Sequence, residues 1–166
     1  MVLKFITDIE NVHNALDLVL SGVIGSTGIG FSCRSDSNGD LRTIQVYSGG
    51  EVCAVFDMKK IPLRSLSPLW NFRLITHGLG RHIALLKKNN ISLSNAECCE
   101  QAYGLTNGVS NRGLVDSARY LLDESVPTSK DTDFDADELS DGTIICAACE
   151  SVVVFQMWET LEKKLK

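Results

Sequence analysis

No run of this chain approaches the ~20 consecutive apolar residues that a membrane span needs; Val152 to Phe155, for one, sits inside a mixed amphipathic stretch. No contact with a membrane is expected. The opening residues, Met1 to Glu10, lack the basic, then apolar, then small order of a secretory signal, so export is not expected either. Basic charge is not in excess: 16 Lys and Arg face 21 Asp and Glu, for a formal charge of −5. Internal repeats, linkers and a composition shift that would mark a second domain are also missing, and residues 1–166 read as one domain. What is present is ordinary for a globular protein, with 44% hydrophobic and 22% charged residues, too apolar for a disordered chain.

The acidity is local. Of the 21 acids and 16 bases, eight acids and one base lie between Asp123 and Asp141, which leaves 13 and 15 for the rest of the chain. The remaining surface is near neutral and has room for a modest basic patch, so a polyanionic partner is neither implied nor excluded. Six cysteines without an export signal read as reduced thiols rather than as a disulfide set, which points to the cytoplasm or the nucleus.

Along the chain, Thr7 or Asp8 can cap a helix through Ile9, Val12, Leu16 and Val19. Three strands follow: Val23 to Cys33, Leu41 to Tyr47 after the turn Asp36-Ser-Asn-Gly-Asp40, and Val52 to Phe56 after Ser48-Gly-Gly50. The pattern then alternates: a short helix around Leu66 to Trp70, a strand at Phe72 to Thr76, a helix from Gly80 to Asn89, and a fifth strand at Ile91 to Leu93. Helices near Glu97 to Tyr103 and Gly113 to Leu122, the acidic segment and a long helix capped by Ser140 complete it. Three hairpin-linked strands followed by strand–helix alternation give an α/β, ribonuclease H-like arrangement: a mixed five-stranded sheet, antiparallel strands first, flanked by helices.

Several features carry two readings. Gly25, Gly28 and Gly30 are not followed by a helix in the manner of a phosphate-binding glycine loop, and fit a bulge or a close backbone approach better. His82 is either a ligand or a hydrogen-bonded, partly buried histidine, and the second is the commoner case. Cys146 and Cys149 lie at i and i+3 on one helical face, and a zinc ion would draw on them with Cys98 and His82. A lone C-x-x-C in an apolar helix is more often core packing, and no metal or other cofactor is expected. The last helix is apolar around much of its circumference, through Val152, Val153, Phe155, Met157, Trp158 and Leu161, which suits either deep burial or a partner surface.

The order of landmarks resembles the DEDD superfamily of 3′–5′ exonucleases, of the ribonuclease D kind, over nearly the whole chain. The residues that carry it are Gly22-Val-Ile-Gly-Ser-Thr-Gly28 and Gly50-Glu-Val-Cys-Ala-Val-Phe-Asp57, then Val126-Pro-Thr-Ser-Lys130, Thr132-Asp-Phe134, Glu138-Leu-Ser140 and Ile145-Cys-Ala-Ala-Cys-Glu150. The last four look like the family's Lys, Ser-Asp-Trp, Pro-Leu-Ser and Tyr-Ala-Ala-x-Asp landmarks. The resemblance implies four carboxylates around two divalent metals that activate water for phosphodiester cleavage. At the matching positions this chain departs from the pattern. Gly25 and Thr27 stand for the first motif's Asp-x-Glu; Gly78 and His82 stand for the Asn and Asp of the second; Cys146 and Glu150 stand for the Tyr and Asp of the third.

With one sure carboxylate, two-metal hydrolysis is expected to be lost, since hard dications need oxygen ligands that carry compensating charge. The chain is therefore expected not to be an enzyme but a nucleic-acid-binding, preferentially RNA-binding, or protein-binding subunit of a larger complex. Gly28, Gln45, His77 and Arg81 are the candidates to line its groove, single-stranded RNA the candidate ligand, and a protein partner or a second copy the expected associate. The alternatives are a metal-dependent exonuclease using Glu150, Glu97 and a histidine, and a pure protein scaffold.

Overall fold

The computed structural model describes residues 1–23, 28–108, 113–127 and 132–165. Its framework is a mixed six-stranded sheet, ordered β1-β4-β3-β2-β5-β6. The strands are β1 (Val2–Ile6), β2 (Ile29–Ser35), β3 (Leu41–Tyr47), β4 (Val52–Asp57), β5 (Leu74–Thr76) and β6 (Ala96–Cys98). β2, β3 and β4 form the expected antiparallel meander, while β1 joins β4, β5 joins β2 and β6 joins β5 in parallel. The helices are α1 (Ile9–Ser21), α2 (Leu79–Lys88), α3 (Cys99–Asn107), α4 (Leu114–Leu122) and α5 (Asp141–Leu165), with a 3₁₀ segment over Leu63–Asn71.

The expected fold class stands, with six strands in place of five. β1 holds only five residues and precedes α1; its partner lies some fifty residues away on β4, a pairing that no local pattern announces. Ile91–Leu93 is not a strand: its apolar side chains pack on the core from a loop, and the edge strand is the following Ala96–Cys98. β2 begins at Ile29 rather than Val23, and Ile24 to Thr27 fall outside the described residues.

Helix ends follow the side chains available to cap them. Asp8 accepts the Glu10 amide at 2.9 Å and starts α1, and Ser140 Oγ accepts the Thr143 amide at 3.2 Å and starts α5. One face of the sheet carries α1, the 3₁₀ segment and α2, which close over Phe31, Cys33, Ile44, Val46, Ala54 and Phe56. The other carries α3, α4 and α5, with Cys53, Val55 and Ile75 turned towards them. β4 is buried along its whole length because both of its faces are covered.

α5 is the helix that the sequence shows to be apolar around much of its circumference. Over Asp141–Lys164 it is long and apolar enough to cross a membrane by length and composition, with a mean hydropathy of 1.4, yet 61% of that window is buried inside the fold. Its apolar circumference is explained by neighbours on several sides: β2, β3, β4 and β5 beneath it, α3 and α4 beside it. The acidic segment before it is solvated in its side chains but not in its backbone. Arg42, 1% exposed, pairs with buried Asp57 and donates to the carbonyls of Phe134 (3.1 Å), Ala136 (3.1 Å) and Asp137 (3.3 Å). A buried guanidinium of this kind must satisfy all its donors, and the carbonyls of the segment do so.

α5 lies directly on β2. A Cβ on Gly30 would overlap the Ser151 carbonyl oxygen and come within 2.8 Å of Phe155 Cβ. Gly30→Ala is expected to destabilise the fold by about 3 kcal/mol, the upper end of the usual cost of overpacking. Gly80→Ala in α2, where an added Cβ meets nothing within 4 Å, is expected to stabilise by about 0.5–1 kcal/mol through helix propensity. Urea unfolding of the two variants checks both signs.

Candidate nucleic-acid groove

Along β2 the side chains alternate: Phe31 and Cys33 enter the core beneath α1, and Ser32 and Arg34 turn towards α5. The close approach at Gly30 brings Glu150 of α5 down onto these two. Glu150 is 8% exposed. Its Oε2 accepts from Ser32 Oγ at 2.8 Å and from Arg34 Nε at 3.0 Å, and its Oε1 pairs with Arg34 Nη2. The guanidinium therefore grips the carboxylate with two parallel donors, the strongest geometry this pair can adopt. The Arg34 guanidinium also sits over the Phe134 ring, 5.9 Å from its centroid.

Around this pair opens a groove of about 690 Å³. Ser32 and Arg34 form its floor; His77, Gly78, Arg81 and His82 enter from the start of α2, and Cys146 and Glu150 from α5. Glu100, Gly113, Val126, Pro127, Thr132 and Phe134 complete much of the rim. Gly78 caps α2 in the left-handed conformation at φ 70°, with open space around its α-carbon. Among the described residues two cations, Arg34 and Arg81, and two anions, Glu150 and Glu100, face the space. Burial lowers the Arg34 pKa, and the charge of Arg81 lowers it further.

His82 resolves to the commoner of its two readings. It is 1% exposed, its Nε2 lies 3.0 Å from the His77 carbonyl, and its Nδ1 lies 3.2 Å from Cys33 Sγ. A carbonyl can only accept, so Nε2 carries the proton and Nδ1 takes the hydrogen of the Cys33 thiol. Burial pushes the His82 pKa down to about 4, with Arg81 acting in the same direction, and burial pushes the Cys33 thiol up to about 12. The ring is neutral near pH 7, and both its nitrogens are engaged.

The remaining sequence candidates divide. His77 and Arg81 line the groove as expected. Gln45 does not: it is 0% exposed and is registered against Ser32 on β3, in the sheet's interior. Gly28 is buried against the start of β5, where a Cβ would stand 2.9 Å from the Arg73 carbonyl oxygen. Glu97 is likewise removed. It pairs with Arg73 at 3.3 Å, and Arg73 also reaches Glu162, twelve residues and so about 18 Å along α5 from Glu150. The zinc candidates His82, Cys98, Cys146 and Cys149 are not gathered, and among the described residues no three or more His, Cys, Asp and Glu side chains are grouped to hold a metal.

Gly25 and Thr27 lie outside the described residues. The two positions, one residue apart on a strand, that face Glu150 are Ser32 and Arg34. The signal in the sequence was the alternation Phe31-Ser32-Cys33-Arg34, polar at every second residue inside an otherwise apolar strand. At these two positions the strand presents a hydroxyl and a guanidinium to Glu150. Among the described residues, Glu150, already held by an arginine, and Glu100 on the rim do not fit a pair of divalent ions.

The sheet order, the helices on both faces and a groove between the first meander strand and the last helix define a ribonuclease H-like α/β fold of the exonuclease kind. Solved structures agree. NrnC from Brucella melitensis bound to pGG superposes with a TM-score of 0.74 at 21% identity, over 99% of this chain and 82% of that one. The catalytic core of RRP6 from Trypanosoma brucei does so with a TM-score of 0.81 at 14% identity, over 99% of this chain and 47% of that one. The EXO domain of Nibbler from Aedes aegypti gives 0.75 at 13% identity, over 98% and 88%. No protein-family model matches the sequence, and no curated protein is similar to it. The expected likeness to ribonuclease D-like exonucleases is thus a likeness of fold. These neighbours also overturn the expectation that the chain is not an enzyme: the fold it shares forms the catalytic core of RRP6 and is found with bound Mg²⁺ in NrnC.

A pH dependence follows from His82. Its pKa is depressed from the ordinary 6.5 to about 4 on folding, so the unfolded chain binds the extra proton first. The stability that neutral His82 contributes is complete above pH 6.5 and is lost as the pH falls towards 4, by an amount on the order of 3 kcal/mol at most. Unfolding free energies across that range are expected to fall more steeply in the native protein than in His82→Gln.

Proposed function

We propose that the chain binds single-stranded nucleic acid, RNA in preference, in this groove, with the strand's phosphates against Arg34 and Arg81 and its path passing His77. The observation that carries the reading is the placement of two guanidiniums in an open groove at the start of α2, beside the glycine-capped N-terminus of α4. Backbone amides at two helix starts add partial positive charge at the same place. NrnC, of the same fold, has been solved bound to pGG. The six cysteines are all free, four of them buried, which supports a reducing compartment such as cytoplasm or nucleus. A protein partner or a second copy has apolar surface available away from the groove, at Leu105 on α3 and Tyr120 on α4, which are 83% and 59% exposed.

Fluorescence anisotropy with labelled oligonucleotides tests the reading. Affinity for a single strand is expected to fall with salt at a slope of about −0.7 in log–log form for each phosphate neutralised. Arg81→Ala is expected to weaken binding by about 1–2 kcal/mol and to flatten that slope by one phosphate. A strand that fails to bind at low salt points instead to a purely protein-binding role.

Phosphodiester hydrolysis in the same groove is the second reading, favoured by the neighbours of this fold. Glu150 is the carboxylate it would depend on. Release of mononucleotides from an end-labelled strand, lost in Glu150→Gln, supports it; an intact strand after prolonged incubation with Mg²⁺ or Mn²⁺ counts against it.

A further inference from the structure

Exonuclease-like grooves of the kind the sequence resembles meet the strand's negative charge with divalent ions held by carboxylates. Here the donor set does not fit such ions, and the disagreement has a definite form. On the strand facing α5, the second of the two groove-facing positions is Arg34, and its guanidinium grips the carboxylate of Glu150 on α5. The positive charge is covalently part of the chain and is oriented before any ligand arrives. Ser32 holds the same carboxylate oxygen at 2.8 Å, so Glu150 cannot swing away without losing three hydrogen bonds. Arg34 keeps about a third of its side chain open to the groove, 35% exposed, while Phe134 covers one side of the guanidinium. A guanidinium has five donors; two are spent on Glu150, and the others remain for an oxyanion.

We propose that Arg34 is a built-in replacement for the metal: positioned by Glu150, it supplies the fixed cation against which a phosphate of the strand docks, so that the groove binds nucleic acid without a divalent ion. The inference rests on the groove-binding reading above and deepens it by naming how the charge is supplied. Glu150 is then a positioning residue whose negative charge opposes the ligand even as it orients Arg34. Arg81 supplies a second positive charge and Glu100 a second negative one, so the balance at the site is close and sensitive to a single charge.

The test is the affinity of the full chain for a short labelled single-stranded RNA, measured in EDTA and in Mg²⁺, for the native protein, Arg34→Gln, Arg34→Lys and Glu150→Gln. The expected result is equal native affinity, within about twofold, in the two buffers. Arg34→Gln is expected to lose about tenfold and Arg34→Lys to lose less, since it keeps the charge but not the fork. Glu150→Gln keeps an oxygen acceptor for Ser32 and Arg34 and removes the opposing charge, so it is expected to bind about two- to fivefold tighter. A merely structural role for the pair would weaken binding in both partners, and opposite signs separate the two cases. Native binding that appears with Mg²⁺ and vanishes in EDTA overturns the inference while leaving the groove reading intact. No native binding in either buffer overturns the groove reading itself. Should Arg34→Gln fail to fold, Arg34→Lys and the comparison of buffers decide the matter.

Discussion

The closeness of α5 to β2 at Gly30 organises the molecule. Because no Cβ stands between them, the backbone of the long helix rests on the strand, and every side chain on that helix turn is delivered to a fixed height above the sheet. Glu150, one residue before Ser151, lands within hydrogen-bonding distance of both Ser32 and Arg34, two and four residues beyond Gly30. The buried pair of Arg42 and Asp57 acts in concert at the other end of the meander. It ties the carbonyls of Phe134, Ala136 and Asp137 to the sheet, which fixes the start of α5 and sets the Phe134 ring beside the Arg34 guanidinium. Two arginines on neighbouring strands thus do different work: one is wholly buried and structural, the other half-open and at the groove.

The groove these contacts shape has a mixed charge pattern, with guanidiniums beside its carboxylates. A hydroxyl and a guanidinium occupy the strand positions, a neutral histidine holds the thiol of Cys33, and a single glutamate comes from the last helix. Changing the sign of one residue at the centre of such a site alters what it can hold. A carboxylate that would have faced cations is satisfied internally, and the site presents guanidinium donors to the solvent instead. The frame survives because its stability lies in the two apolar layers beneath and above the sheet, which do not depend on the chemistry of the groove.

Much of the architecture was legible from local patterns. The amphipathic periods of α1, α2 and α4, the apolar run of α5, the Asp8 and Ser140 caps and the turn at Asp36 to Asp40 all express short-range physics, and each element formed within a few residues of its expected place. What failed was non-local. β1 owes its conformation to β4, the edge strand settled at Ala96–Cys98 because β5 provides its partner, and neither pairing leaves a trace in the nearby sequence. Gln45 looked available because it is polar on a strand; registered against Ser32, it is enclosed, which only the sheet's position relative to α5 determines.

The sequence by itself determined the fold class, the helical faces, the scarcity of carboxylates at the groove and the survival of Glu150, since residue type and short-range spacing suffice for these. The tertiary structure alone decided which strand residues meet that glutamate. Ser32 meets Glu150 across about 120 positions of chain, a contact made possible by the missing side chain of Gly30, and no local pattern announces it. It also decided the state of His82, whose neutrality comes from burial and from two hydrogen-bonding partners brought together by the fold.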